Sequence, residues 1–156
     1  MGVVGGFIAG SKELIEYLHY YSRPYMFSTA PTPQSTASLI EAIHVIEEEG
    51  HLRKQLWENI AYFKKNLLTL GFNIGNSETA IFPIIIGDDV TVREVCRELH
   101  EANIYVNPVQ YPAVSKKLSR VRMSIMCNHT RAHLDKVLEV LEQLGKKYKI
   151  NKSHVR

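Results

Sequence analysis

The sequence predicts an α+β fold, a small and mostly antiparallel sheet with helices on one face, preceded by a strand-helix arm. Three observations carry this. Apolar residues recur at helical spacing over two long stretches between residues 35 and 70. From Phe72 onward, short β-rich runs alternate with helical ones. The chain also opens on Gly2-Val3-Val4-Gly5-Gly6-Phe7-Ile8, an apolar run with paired glycines that reads as a buried strand with nothing in front of it.

The elements follow in order. Residues 5–9 read as a short strand. Ser11 can cap a helix starting at Lys12, with Leu14, Ile15 and Leu18 on one face. Pro24 is expected to end it, because proline disfavours a helical residue before it. Residues 28–35 read as a loop holding Pro31 and Pro33, with a helix from Gln34 or Ser35 carrying Leu39, Ile43 and Ile46. Gly50 interrupts, and a further helix runs from about His51 to Leu70 along Leu52, Leu56, Phe63 and Leu67, with Gly71 as its stop.

Residues 72–74 read as a weak strand and 81–86 as a stronger one. Pro83 removes a ladder donor there, which suggests an edge or a bulge. Thr91 with Glu94 has capping-box spacing for a helix reaching about Ala102, and Asn103 can take the left-handed conformation after it. Residues 104–106 read as the next strand and 107–118 as a loop. Residues 120–126 alternate, with Val121, Met123 and Ile125 on one face and Arg120, Arg122 and Ser124 on the other. Thr130 caps a last helix whose buried stripe is Leu134, Val137, Leu138, Leu141 and Leu144. Beyond Tyr148 the polar chain is expected to fray.

Composition narrows the function classes. The formal charge of +3 is small, and the basic residues are spread along helices, so no nucleic-acid footprint forms. No apolar segment is long enough to span a bilayer. Met1 is followed by no basic region and no cleavage-like site, which argues against a signal peptide and for the cytoplasm. Cys96 and Cys127 are far apart and read as two free thiols. His129 and His133 are four apart, but no nearby carboxylate or cysteine completes a metal site, and none is expected.

Arg122 stands first among residues that could bind a ligand. A guanidinium grips a carboxylate through two parallel hydrogen bonds, fixing position and orientation together. By spacing alone it reads first as a surface arginine on an edge strand or a salt-bridge partner of a nearby glutamate. Ser28 and Thr29 follow an aromatic residue in a proline-bounded loop, where two hydroxyls can donate to a phosphate or shape the loop. Gly5 and Gly6 lack the spacing of a dinucleotide fingerprint.

The opening glycine run, Ser22-Arg23-Pro24-Tyr25-Met26-Phe27-Ser28-Thr29, and Arg120-Val121-Arg122 followed by His129-Thr130 together resemble the pyridoxal-phosphate-dependent α-oxoamine synthases. This family includes 2-amino-3-ketobutyrate CoA ligase, 8-amino-7-oxononanoate synthase, serine palmitoyltransferase and 5-aminolevulinate synthase. The match runs from Gly2 to about Tyr148. The resemblance implies the C-terminal domain of a fold-type I enzyme that uses pyridoxal 5'-phosphate (PLP). Such an enzyme condenses an amino acid with an acyl-CoA, usually with loss of carbon dioxide. It implies that Arg122 receives the substrate α-carboxylate, with Arg120 in support. It implies that Ser28 and Thr29 touch the cofactor phosphate across a homodimer with shared active sites. The loop holding Tyr111 and Pro112 resembles one that helps line the substrate side.

The same resemblance places the Schiff-base lysine upstream of Met1, and no lysine of this sequence matches its motif. Alone, the chain is expected to be inactive and to dimerise or aggregate. The expected division is 1–40, a remnant of the large cofactor-binding domain, and 41–156, a small α+β domain with its long connecting helix. Ser22-to-Ser28 and Gln55-Leu56-Trp57 lean toward the aminoketobutyrate ligase, and Asn107-Pro108-Val109 toward serine palmitoyltransferase. An alternative of another class is a free-standing, non-catalytic small-molecule-binding or dimerisation module.

Overall fold

A computed structural model describes residues 2–151; Met1 and the stretch 152–156 fall outside the described residues. The chain divides into two compact units, Met1–Gly50 and His51–Arg156.

The first unit holds α1 (Lys12–Tyr21), α2 (Arg23–Met26) and α3 (Pro33–Glu48). Ser11 caps α1 as expected, its hydroxyl accepting from the Leu14 N–H at 3.4 Å. Pro24 does not merely end that helix. It lies in the first turn of α2, where a missing N–H leaves no bond unmade. Thr32 caps α3, with Pro33 in its first turn. The strand expected over 5–9 is not formed, because no neighbouring strand among the described residues offers it a ladder. None of the three helices buries a residue, and Phe27 stays 81% exposed.

The second unit carries the core. It contains α4 (Gly50–Thr69), β1 (Ile81–Ile85), α5 (Asp89–Glu101), β2 (Asn107–Val109), a short 3-10 turn at Lys116–Leu118, β3 (Arg120–Ser124) and α6 (Arg131–Tyr148). The sheet is antiparallel throughout, in the order β1-β3-β2. Pro83 therefore lies on an edge strand, as its chemistry requires. Helix α4 puts Phe63 and Leu67 against Phe82 and Ile84, and the Phe63 and Phe82 rings meet edge-on at 5.4 Å. Helix α5 adds Val92, Val95 and Leu99, and α6 adds Leu134, Leu138, Leu141 and Leu144. Val121 and Met123 of β3 face this core while Arg122 and Ser124 are exposed, so helices cover one face of the sheet.

Four local expectations are corrected. Residues 104–106 make no strand: the Ile104 N–H closes onto Leu99 O at 2.8 Å and the Val106 N–H donates to His100 Nε2 at 3.3 Å. With those groups spent on the end of α5, the ladder starts at Asn107, inside the expected loop. Phe72 pairs only in a single bridge to Asn151, while Asn73 O accepts from Ile85 N–H. The α5 cap is Asp88, not Thr91; its carboxylate accepts from both the Thr91 N–H and hydroxyl at 2.7 Å. Past Tyr148, residues 149–151 are tied down. Lys149 takes the left-handed conformation, and the Ile150 N–H reaches Gly145 O at 3.2 Å. Gly145 permits this, since a Cβ there would meet Asn151 at 2.9 Å and the Phe72 ring at 3.0 Å. The rest of the expected frayed tail lies outside the described residues.

Candidate functional site

Arg122 occupies the middle of the central strand. Its Cα partners are Pro83 on one side and Asn107 on the other. Strand alternation sends Val121 and Met123 into the core and leaves Arg122 on the open face. Its guanidinium makes no ion pair or hydrogen bond among the described residues. Arg120 differs: its Nε donates to Leu118 O at 2.8 Å, so that side chain is tied to its own backbone.

A cleft of about 530 Å³ opens beside Arg122. Asn107, Ser124, His129, His133 and Lys136 supply its polar lining. Tyr105, Met126 and Val137 contribute to its apolar lining. No aspartate or glutamate lines it. The two fixed cations, Arg122 and Lys136, thus stand in a cleft without a counter-charge, which suits an anionic ligand.

The turn between β3 and α6 shapes the far end. Asn59, buried on α4, donates its amide to Met126 O at 3.2 Å and His129 O at 2.8 Å. The Met126 N–H donates to His129 Nδ1 at 3.3 Å, and the Thr130 N–H donates to His133 Nδ1 at 3.3 Å. A nitrogen that accepts a hydrogen bond carries no proton, so both neutral rings hold theirs on Nε2. Burial pushes the His129 imidazole below its ordinary value, with the neighbouring His133 adding to the effect. Among the described residues no group of three His, Cys, Asp or Glu side chains is placed to hold a metal.

Ser28 and Thr29 lie in the first unit, exposed, between α2 and α3. Neither hydroxyl has a hydrogen-bond partner among the described residues. Both are therefore uncommitted among the described residues. Tyr111 and Pro112 are exposed as well. Sequence reasoning missed Asn59, Asn107 and Lys136. Asn59 had a signal, a polar residue between Leu56 and Phe63 on the apolar stripe of α4. Asn107 and Lys136 had none, because they join Arg122 only through the fold.

The chain is 43% identical over 150 residues to an 8-amino-7-oxononanoate synthase of Thermoanaerobacter pseudethanolicus, covering 96% of this chain and 38% of that protein. It is 40% identical over 150 residues to 8-amino-7-oxononanoate synthase 1 of Bacillus subtilis, with the same two coverages. A solved structure of SPT with its PLP internal aldimine superposes with a TM-score of 0.79 at 27% identity, covering 96% of this chain and 38% of that one. The chain thus spans under two fifths of the length of these relatives. The family described as aminotransferase class I and II matches residues 1–141. With nine tenths of its length matched, the chain belongs to the aminotransferase class I and II family.

Proposed function

We propose that these residues form the C-terminal part of a PLP-dependent acyl-CoA:amino-acid C-acyltransferase of the α-oxoamine synthase kind. The reaction joins the acyl group of a thioester to the α-carbon of an amino acid, releases CoA and usually loses the carboxylate as carbon dioxide. The observation that supports this most is the unpaired guanidinium of Arg122, facing a cleft with no carboxylate of its own. It is a ready-made seat for a substrate carboxylate.

Each residue has a defined task in this reading. Arg122 binds the α-carboxylate in a planar, two-point contact and so sets which bond of the α-carbon is presented for reaction. Arg120, held by Leu118 O, supports the strand end. Ser28 and Thr29 fit the cofactor phosphate, since both hydroxyls are exposed and uncommitted. When bound, PLP supplies the electron sink that makes the α-carbon acidic enough to attack a thioester. The assembly is a cytoplasmic homodimer with shared sites, and the division into 1–40 and 41–156 separates cofactor-side from substrate-side residues. No lysine here matches the cofactor-binding motif, so the 156 residues by themselves are inactive.

The test is thiol release from acyl-CoA thioesters, with PLP and a panel of amino acids, by the protein that carries this chain. Release that depends on an amino acid is expected, with roughly a hundredfold loss of kcat/KM in Arg122→Gln. Full activity in that variant, or thiol release by the 156 residues alone, would refute the reading.

A further inference from the structure

We propose that the α6 end of the cleft is a second anion site, built by His129, His133 and Lys136, for a phosphate group. It shares the cleft with Arg122 but does not depend on the role given to that residue.

Three observations lead to it. Each imidazole turns its Nδ1 to a backbone N–H, Met126 for His129 and Thr130 for His133. That fixes the proton on Nε2 in both rings, so each presents a donor and no acceptor. Neither Nε2 has a partner among the described residues, and both rings line the cleft. Lys136 follows His133 by three positions on α6, which puts the two side chains on neighbouring turns of one face. Its ammonium makes no ion pair or hydrogen bond among the described residues.

Geometry selects the ligand class. The two rings are 6.4 Å apart with their planes at 87°. Donors in perpendicular planes cannot meet the flat, parallel lone pairs of one carboxylate as a guanidinium fork does. A tetrahedral oxyanion spreads its accepting oxygens in several directions and can satisfy both imidazoles and an ammonium at once. With no carboxylate in the lining, nothing in the cleft opposes its charge.

The test follows the imidazole nitrogens of the 156-residue chain by nuclear magnetic resonance, at fixed pH and ionic strength. Inorganic phosphate is added in one series and AMP in another. Saturable shifts of Nε2 in both histidines are expected. Lys136→Gln should weaken binding about tenfold, the loss of one charged hydrogen bond. Lys136→Arg should restore most of it, while Lys65→Gln, an exposed lysine of α4 outside the cleft, stays within about twofold of the parent. AMP binding tighter than phosphate assigns the site to a phosphate ester; otherwise it takes the free ion. The proposal is overturned if neither series saturates, if Lys136→Gln binds as the parent does, or if Arg122→Gln alone abolishes binding.

Discussion

Arg122 of β3 and Pro83 of β1 are direct partners across the antiparallel ladder. In such a ladder, opposite residues alternate between pairs that exchange hydrogen bonds and pairs that do not. Pro83 has no N–H, so this pair is of the second kind. The surrounding bonds agree: Ile125 N–H donates to Ala80 O and Ile86 N–H to Ser119 O, each three places from the pair, while Ile85 N–H points outward to Asn73. The backbone of Arg122 consequently turns toward Asn107, and Pro108, opposite Val121, again needs no donor. Both edge prolines sit where the lost N–H is harmless. Pro83→Ala should therefore cost less than about 1 kcal/mol, an unfolded-state effect. Ile84→Pro, one place along, removes a ladder bond and a buried side chain and should cost about 3 kcal/mol or more. Urea midpoints of the two variants measure the contrast.

Arg122 itself should contribute to function and not to stability. Its side chain is exposed and unpaired among the described residues. Arg122→Gln and Arg122→Lys should both unfold within about 0.5 kcal/mol of the parent. In the acyl transfer proposed above, lysine keeps the charge and loses the fork, so its kcat/KM should fall between the parent and the glutamine variant. Urea titration beside the thiol-release assay separates the two effects.

Asn59 is the reverse case. Its buried amide spans the carbonyls of Met126 and His129 and fixes the turn from β3 into α6. Asn59→Ala takes the amide from the His129 carbonyl, leaves the Met126 carbonyl only the His129 N–H, and should cost about 2 kcal/mol. Asn59→Asp should be worse, because a carboxylate accepts only and would face two more acceptors. Thermal melts of the two variants, ordered alanine above aspartate, check this.

Much of this organisation was legible in the sequence, and the exceptions have physical causes. Helices α1, α4 and α6 and strand β3 followed from periodicity, because each carries its own apolar stripe or alternation. Strand β2 was misplaced because its boundary is set by His100, a residue six positions before Val106, and no local pattern records that bond. Residues 5–9 form no strand for a related reason: apolar residues signal a strand, but only a partner makes one. Arg122 was found from its place in an alternating strand. The cleft around it was not, since Asn107 and Lys136 reach it through the sheet register and the course of α6.

Acid should weaken the fold in two separate ranges. Burial lowers His129 below its ordinary value, so the unfolded chain takes up that proton first. Stability from this group is complete above the unfolded value of about 6.5 and is lost as the pH falls from there toward the folded value. Glu98 acts lower. The Tyr148 hydroxyl, then Lys147, holds its carboxylate below the usual range. Its contribution is present above the unfolded value of about 4.3 and vanishes as the pH drops through the folded value. Melting temperatures followed against pH should show both declines. His129→Asn should flatten the upper one and Tyr148→Phe should shrink the lower, each leaving the other in place.

The two cysteines should differ sharply in reactivity. Cys96 lies in the core on α5, and burial pushes its thiol up to about 11. The thiolate is the nucleophile, and at about pH 8 such a group is only ~0.1% ionised. Access is restricted too, since the side chain is only 5% exposed within the hydrophobic cluster, with Val92 and Leu99 as its helix neighbours. Cys127 is half-buried, in the turn held by Asn59. Iodoacetamide should thus label Cys127 first, and mass spectrometry of a time course should find Cys96 unmodified until denaturant is added. Asn59→Ala loosens the turn and should speed labelling of Cys127 alone. Equal early labelling of both thiols in the native chain would contradict the burial of α5 against the sheet.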